Sequence, residues 1–181
     1  GMRKHQPVLM QPDYFLKRNG KPVNFLRDYF KPFALNFARG MREVSDDYLI
    51  FLETIVENRH LPDWFRNEPQ GIVNADHWYD EHTLLTKIFS PDQIYDHRTQ
   101  QTISGKSVIE GYFADQLIEQ KSQADQFLDG IPTVIGEFGI PFDLNSGQAY
   151  RTGDYSQQTA ALDRSYRIME KAGVSCVLWN Y

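Results

Sequence analysis

One short apolar run in the chain ends on a carboxylate that stands between two glycines, in the segment TVIGEFG at residues 133–139. An ionised glutamate at the edge of a hydrophobic core costs free energy unless the carboxylate is paired or takes part in a reaction. Glu137 is therefore either a structural charge or a reactive group in a pocket. Residue type alone leaves both interpretations open.

Reactive or aromatic side chains also follow three other apolar runs. Glu53 ends the run at residues 48–53, HWYD closes the run that begins at Ile72, and the last run ends in Trp179-Asn180-Tyr181. Loops that follow the carboxyl ends of parallel strands converge, and ligands bind there. Four strand ends of this kind predict one shared site.

Hydrophobic periodicity predicts the elements that position these residues. Apolar residues recur at helical spacing over residues 22–44, 107–128 and 156–171. Short apolar runs predict buried strands over residues 48–53, 72–78, 133–138 and 174–179. Residues 1–21 lack periodicity and are predicted to be irregular, residues 81–105 to be a long loop with one helical turn, and residues 139–155 to be a polar loop.

The alternation of helices and strands predicts the fold class. It implies right-handed crossovers and an α/β fold, in which helices cover a parallel sheet. The 181 residues suffice for one domain with a hydrophobic core, and the sequence has no internal repeat or low-complexity linker. We therefore predict a single domain over residues 1–181.

Composition and charge argue against several function classes. The net charge of −5 and the absence of a basic run argue against a nucleic-acid partner, and no apolar stretch is long enough to span a membrane. A single cysteine, Cys176, excludes an internal disulfide. The aromatic content of 14% suits a carbohydrate ligand and equally a well-filled core. The remaining histidines lack the spacing of a metal site, so no metal is expected at His5, His60, His82 or His97.

HWYD, IGEFG and LWNY, in this order and spacing, resemble the second half of the catalytic domain of glycoside hydrolase family 5, in its endoglycosylceramidase-like or endoglucanase-like branch. The resemblance extends over about residues 22–181 and implies that the four strands correspond to strands five to eight of a TIM-type (β/α)8 barrel. Such enzymes cleave β-glycosidic bonds with retention of configuration and need no cofactor. The implied partner is a carbohydrate substrate, a glucan or a glycoconjugate, and a secreted or periplasmic location would suit a bacterial glycosidase.

The resemblance also implies a role for each strand-end residue. It makes Glu137 the catalytic nucleophile, with Tyr79 as the phenol whose hydrogen bond keeps that carboxylate charged. His77 would line the same subsite, and the indole of Trp179 would form a floor under the sugar. Each residue has a structural alternative: Glu137 as a structural charge, His77 and Tyr79 as polar groups on the core side of their strand, and Trp179 as packing.

A retaining glycosidase needs a second carboxyl group as acid/base, which the family carries in an Asn-Glu-Pro motif at the end of strand four. This chain contains Asn67-Glu68-Pro69, but only two residues separate Pro69 from the strand at Ile72, and a parallel crossover needs about a dozen. We interpret the motif as a chance loop sequence remote from catalysis. Glu53 is expected to be a salt-bridge partner rather than a catalyst. The other carboxylates near strand ends are expected to be turn formers or solvated charges, namely Asp76, Asp80, Asp143 and Asp154.

These expectations define a leading hypothesis and two rivals. The chain would be the C-terminal part of a retaining β-glycosidase whose acid/base lies outside it, unless Glu53 or Glu68 completes the pair. Its exposed sheet edges would need the missing half of the barrel or a self-paired dimer. The first rival is a catalytically inactive carbohydrate-binding or assembly domain of the same fold. The second is an unrelated α/β protein in which TVIGEFG is only a strand and a turn.

Overall fold

The computed structural model describes residues 2–3, 6–8, 10–54, 70–127 and 130–179. The chain divides into two compact units, Gly1–Asp46 and Asp47–Tyr181. The prediction of one domain across both units stays a prediction. Among the described residues, no helix is both long enough and apolar enough to cross a membrane.

The first unit contains two very short strand pairs. Strand β1 (Met2–Arg3) pairs antiparallel with β2 (Gln6–Pro7), and β3 (Lys17–Arg18) pairs antiparallel with β4 (Lys21–Pro22). Asn19 and Gly20 both have positive φ and join β3 to β4, as in a two-residue hairpin turn. The irregular segment predicted over residues 1–21 is therefore wrong at these strands, because two-residue ladders are too short to leave a periodic pattern.

The helix of the first unit begins with a π-helical turn at Leu26–Phe30 and continues as α1 (Lys31–Val44). The π turn lies immediately before Pro32, whose ring cannot donate to the helical ladder, and this missing donor accounts for the local irregularity. The predicted helix over residues 22–44 is confirmed from Leu26 onward.

The second unit alternates strands and helices. In chain order its elements are β5 (Ile50–Leu52), β6 (Ile72–Asn74), α2 (Glu81–Thr86), β7 (Gln93–Asp96), β8 (Gln101–Ser104), α3 (Lys106–Phe127), β9 (Val134–Phe138), α4 (Leu144–Thr152), α5 (Ser156–Ala172) and β10 (Ser175–Leu178). The two predicted helices and four predicted strands of this unit are confirmed as β5, β6, α3, β9, α5 and β10, although each strand is shorter than predicted.

The four predicted strands run parallel. β5 pairs with β6, and β9 pairs with β10, both in parallel. Two isolated parallel bridges, Asn74 to Thr133 and His77 to Glu137, join the chain at β6 to β9. The spatial order is therefore β5, β6, β9, β10, which brings the carboxyl ends of all four strands to one edge. The parallel α/β class is confirmed, whereas half of a (β/α)8 barrel stays a prediction.

The loop predicted over residues 81–105 is wrong. This segment contains α2 and an antiparallel hairpin of β7 and β8, in which Ile94 pairs with Ile103. Ile94 is buried and anchors the hairpin in the core. These strands are short and contain few apolar residues, so alternation does not reveal them. The polar loop predicted over residues 139–155 contains α4, interrupted at residues 145–147 by left-handed backbone angles.

The hydrophobic core of the second unit lies between the strands and the two long helices, α3 and α5. Its fully or almost fully buried side chains include Ile109, Phe113, Leu117, Ile135, Phe138, Ile168 and Met169. Gly173 ends α5 with φ of 64°, a left-handed conformation that lets the chain turn directly into β10. This core fixes the strands whose carboxyl ends carry the predicted site.

Candidate active site

Two glycines explain how Glu137 comes to lie close to both neighbouring strand ends. A Cβ atom at Gly136 would overlap the backbone carbonyl of Ala75, and one at Gly139 would overlap the backbone carbonyl of Trp179. Each glycine therefore allows a close backbone approach that a side chain would block. Glu137 lies between these two contacts, so its carboxylate stands where the carboxyl ends of the parallel strands meet.

The phenol of Tyr79 donates a hydrogen bond to Oε1 of Glu137. This contact confirms the one predicted from the sequence. Burial raises the pKa of Tyr79 well above its usual range, and the hydrogen bond to Glu137 and the charge of that carboxylate raise it further. The phenol therefore remains a proton donor at neutral pH, and it orients the Glu137 carboxylate.

The imidazole of His77 lies between two carboxylates. Its Nδ1 is 3.5 Å from Oε1 of Glu137, and its Nε2 is 3.2 Å from Oε1 of Glu53. The Glu137 side chain is 24% exposed and that of Glu53 is 49% exposed. Glu53 thus contacts the His77 imidazole, and its role as a salt-bridge partner stays a prediction. We call Glu53, His77, Tyr79 and Glu137 the carboxylate cluster.

The residue between His77 and Tyr79 points away from the cluster, as strand-like alternation requires. Trp78 is buried, packs edge-to-face on Phe113 with ring centroids 5.3 Å apart, and donates from Nε1 to Gln116 at 2.9 Å. Its backbone N–H donates to the carbonyl of Glu137 at 3.0 Å. Trp78 therefore anchors this segment in the core while its two neighbours face the carboxylate cluster.

Trp179 follows β10 directly and keeps its indole largely in solvent. The residue is 58% exposed, and its backbone N–H donates to the carbonyl of Phe138 at 2.8 Å. Within the described residues of this chain, Trp179 is therefore not part of the buried core. Its role as a floor under a sugar stays a prediction.

Asp80 is neither a simple turn former nor a solvated charge, so that prediction is wrong. The carboxylate is buried, caps the N-terminus of α2 and accepts hydrogen bonds from the backbone N–H of Thr83 at 3.1 Å and from its hydroxyl at 2.6 Å. Asp80 also forms an ion pair with Arg164 of α5. Nothing in the local sequence pattern indicates this partner, because the two residues are 84 positions apart.

The other carboxylates near strand ends differ among themselves. Asp76 accepts from the backbone N–H and the hydroxyl of Thr54, at 2.8 and 2.7 Å, and so ties the end of β5 to the segment after β6. Asp143 pairs with Lys87. Asp154 fits the predicted turn role, because it accepts from the backbone N–H of the first residue of α5 at 2.9 Å. The prediction is therefore wrong for Asp76.

Several sequence predictions lie outside the described residues. These are the Asn-Glu-Pro motif at residues 67–69, with its interpretation as a remote loop, together with His5, His60, Asn180 and Tyr181. Within the ranges that the structure describes, no group of three or more His, Cys, Asp or Glu side chains could hold a metal ion. The carboxylate cluster thus holds two partly exposed carboxylates, of which Glu137 is contacted by both a phenol and an imidazole.

The comparisons with known proteins point to glycosidases. No protein-family model matches the chain. The chain is 28% identical to the glucosylceramidase of Cryptococcus neoformans over 193 residues, which is 98% of this chain and 26% of that protein. It is 28% identical to the ergosteryl-beta-glucosidase of Saccharomyces cerevisiae over 194 residues, 97% of this chain and 24% of that protein.

A solved structure gives the same picture. A crystal structure of Cryptococcus neoformans sterylglucosidase 1 matches with a TM-score of 0.84 at 26% identity, over 96% of this chain and 27% of that one. The chain thus spans about a quarter of the length of the curated relatives it matches. These relatives carry glycosidase names, which confirms the predicted resemblance to glycoside hydrolases, whereas family 5 stays a prediction.

Proposed function

We propose that this chain is part of a retaining β-glycoside hydrolase in which Glu137 is the nucleophile. The observation that carries the proposal is the hydrogen bond from Tyr79 to Glu137 at the meeting point of parallel strand ends. A carboxylate that attacks an anomeric carbon must be accessible and oriented. Glu137 is partly exposed and is contacted by a phenol and an imidazole, which fits this requirement.

In the proposed reaction, Oε of Glu137 attacks the anomeric carbon while the bond to the leaving-group oxygen breaks. The acid/base gives that oxygen a proton, and a covalent glycosyl-enzyme forms. The same acid/base then takes a proton from water, which attacks the anomeric carbon and releases Glu137. His77 lines the subsite, and the exposed indole of Trp179 stacks on the apolar face of the sugar.

The acid/base carboxyl of a retaining pair lies about 5–5.5 Å from the nucleophile. Glu53 contacts Nε2 of His77, whereas Glu137 contacts Nδ1, so the imidazole lies between the two carboxylates. This arrangement favours an ion-pair role for Glu53. We therefore place the acid/base in a segment outside this chain, and Glu53 and Glu68 remain the residues that would replace it if the chain alone proves fully active.

The complete enzyme would be a (β/α)8 barrel of family 5, in which β5, β6, β9 and β10 are strands five to eight. The parallel order of these strands supports this assignment. The partner of the exposed strand edges would then be the other half of the barrel. A self-paired dimer is the alternative occupant.

The relatives' names favour a substrate class within the broader group of glucans and glycoconjugates. One relative is a glucosylceramidase and another an ergosteryl-beta-glucosidase. Both names describe a glucose unit joined to an apolar group. We therefore propose a β-glucoside of a lipid as the substrate.

The rival function is a carbohydrate-binding or assembly domain that no longer catalyses hydrolysis. The contact of Glu53 with His77 favours this rival, because it leaves Glu137 as the one carboxylate of the cluster that could react with a sugar. A second carboxyl about 5 Å from Glu137 in the assembled protein would exclude this rival.

A leaving-group series tests the proposal on the chain as it stands. A dinitrophenyl β-glucoside needs little protonation, so Glu137 should still displace dinitrophenol slowly. An alkyl β-glucoside needs general acid catalysis, which is worth about 10²–10⁴-fold, and should not react measurably. Glu137→Gln should abolish the slow release of dinitrophenol.

The other outcomes are equally informative. Rapid hydrolysis of the alkyl glucoside would mean that Glu53 or Glu68 completes the pair within this chain. If dinitrophenol is released at the same rate by Glu137→Gln, the nucleophile assignment is wrong. Sugar binding without any release of dinitrophenol would favour the inactive binding domain.

A further inference from the structure

Arg164 of α5 is buried and makes several specific contacts. One terminal nitrogen pairs with Asp80, and the other donates to the backbone carbonyl of Ser90 at 2.7 Å. The guanidinium carbon lies 4.4 Å from the ring centre of Phe89 and 5.6 Å from that of Phe113. The planar group is thus held by two hydrogen bonds and two aromatic faces, which fixes its position.

Asp80 passes this constraint to the backbone. Its carboxylate accepts from the N–H and the hydroxyl of Thr83 as well as from Arg164. These contacts fix the first turn of α2, which begins at Glu81. After β6 ends at Asn74, backbone bonds to the β9 segment continue as far as Trp78, whose N–H donates to the carbonyl of Glu137 at 3.0 Å.

Tyr79 lies between two anchors. On one side, Trp78 is tied by its backbone N–H to the carbonyl of Glu137 and by its indole to Gln116. On the other side, the residue that follows Tyr79 is Asp80, held by Arg164. Contacts that fix the backbone on both sides of Tyr79 help to hold its phenol in one orientation toward the carboxylate.

We propose that the Asp80–Arg164 pair is a positioning device that holds the Tyr79 phenol on Glu137, the nucleophile of the proposed function on which this inference rests. Neither residue contacts Glu137 in the described structure. Arg164 therefore acts on the site through the backbone of the turn between β6 and α2. This role goes beyond helix capping, because it connects α5 to the orientation of a reactive carboxylate.

The test follows Tyr79 directly. The chemical shift of the Tyr79 ring carbon that bears the hydroxyl is measured by NMR as a function of pH. Tyr79→Phe assigns the signal. In the parent chain the signal should titrate well above the usual range of a tyrosine, because burial and Glu137 raise the pKa of Tyr79. In Arg164→Lys, which keeps the charge but not the two-pronged contact, the midpoint should fall toward the ordinary value of 10.0.

A double variant separates positioning from stability. Arg164→Met alone leaves a buried carboxylate unpaired and should lower the urea midpoint strongly. Adding Asp80→Asn removes the unpaired charge and keeps a good N-cap, so the urea midpoint should recover in part. The titration midpoint of Tyr79 should stay below that of the parent chain in this double variant, because the link to α5 is still absent.

A matched control lies one turn further along α5. Arg167 is 43% exposed and pairs with Glu110 and Asp163 at 3.1 and 3.2 Å, so Arg167→Met should leave the Tyr79 titration unchanged. The titratable side chains that line the small cavity beside Tyr79 stay intact in all these variants, namely Glu81, His82, Tyr95, Asp96 and Tyr112.

Two results would overturn the inference. The first is a Tyr79 titration midpoint that is the same in Arg164→Lys, in the double variant and in the parent chain. The second is a Tyr79 titration midpoint that returns toward the parent value in the double variant as the urea midpoint recovers. The pair would then be merely structural. Because the NMR titration needs no substrate, it decides this inference even if Glu137 proves unreactive. Conversely, a slow release of dinitrophenol that Glu137→Gln abolishes, together with an unchanged Tyr79 titration, would leave the proposed function standing and remove only the role of Arg164.

Discussion

Two carboxylates, one at the start of α2 and one in β9, have opposite environments. Asp80 is buried, paired with the Arg164 guanidinium and bonded twice to Thr83. Glu137 is partly exposed and is contacted by the neutral phenol of Tyr79 and by the imidazole of His77. The first is satisfied on every side by groups of the protein, whereas the second keeps access to solvent.

In the proposed function, this difference separates a carboxylate that contributes to stability from one that reacts. A carboxylate that is buried against a guanidinium cannot be reached by a substrate, and its loss leaves an unpaired charge in the core. A carboxylate that is oriented by a phenol at the mouth of the strands is free to attack. In the proposed function, Asp80 would support Glu137, because Asp80 is adjacent in sequence to Tyr79.

The largest expected effect breaks the structural side of the comparison. Asp80→Ala should lower the free energy of unfolding by about 3–5 kcal/mol, because it leaves Arg164 buried without its partner. Glu137→Gln should leave the free energy of unfolding unchanged or slightly higher, as is common when a functional group is removed. Urea denaturation measures both. Asp163→Ala, at an exposed pair with Arg167, should change the free energy by less than about 1 kcal/mol.

The second prediction concerns the close approach that places Glu137. Gly136→Ala should destabilise the chain by about 1–3 kcal/mol, because the new Cβ would overlap the carbonyl of Ala75. Gly111→Ala is the matched control, since Gly111 lies within α3 and a Cβ there meets no atom within 4 Å. It should stabilise the chain by about 0.5–1 kcal/mol. Equal destabilisation by both substitutions would contradict the close-approach argument.

The third prediction sharpens the reactive side. Tyr79→Phe should slow the attack of Glu137 on a dinitrophenyl β-glucoside by about 10–100-fold, because it removes a hydrogen bond to a charged group. The rate of dinitrophenol release measures this change. Tyr150→Phe, at a phenol that is 61% exposed on α4, serves as the control and should leave the rate unchanged. A Tyr79→Phe variant as fast as the parent would show that the phenol does not prepare the nucleophile.

The smallest effect extends the comparison to a third carboxylate. Burial raises the pKa of Asp96, but hydrogen bonds from Thr99, Tyr112 and two backbone N–H groups outweigh it and hold the pKa below its usual value. The stability that Asp96 contributes is therefore present above its unfolded pKa and is lost as the pH falls through its lower folded pKa. Asp96→Asn should reduce the loss of stability in acid, measured by thermal unfolding between about pH 5 and pH 2. An unchanged acid profile would contradict this account.

The reactive side of the comparison could be predicted from sequence to a large extent. Glu137, His77 and Tyr79 stand at strand ends, and parallel strands bring such ends together. Their chemistry is visible in residue type, and their grouping follows from topology. Alternation along one strand also places His77 and Tyr79 on the same side, with Trp78 on the other.

The structural side could not be predicted in the same way. Arg164 lies on α5, and nothing in its local pattern distinguishes it from the exposed Arg167 three residues later. Its partner depends on how α5 packs behind the turn after β6, which is a tertiary property. The hairpin of β7 and β8 was missed for a related reason, because its strands are four residues long and depend on core contacts through Ile94.

Covalent trapping tests the central claim most directly. The chain is incubated with a dinitrophenyl 2-deoxy-2-fluoro-β-glucoside, whose good leaving group bypasses the acid/base and whose fluorine slows hydrolysis of the glycosyl-enzyme. Peptide mass spectrometry should then find one fluoroglucosyl group, attached to the carboxylate of Glu137, and Glu137→Gln should remain unlabelled. A label on Glu53, or an equal label on the Glu137→Gln variant, would contradict the assignment of Glu137 as the nucleophile.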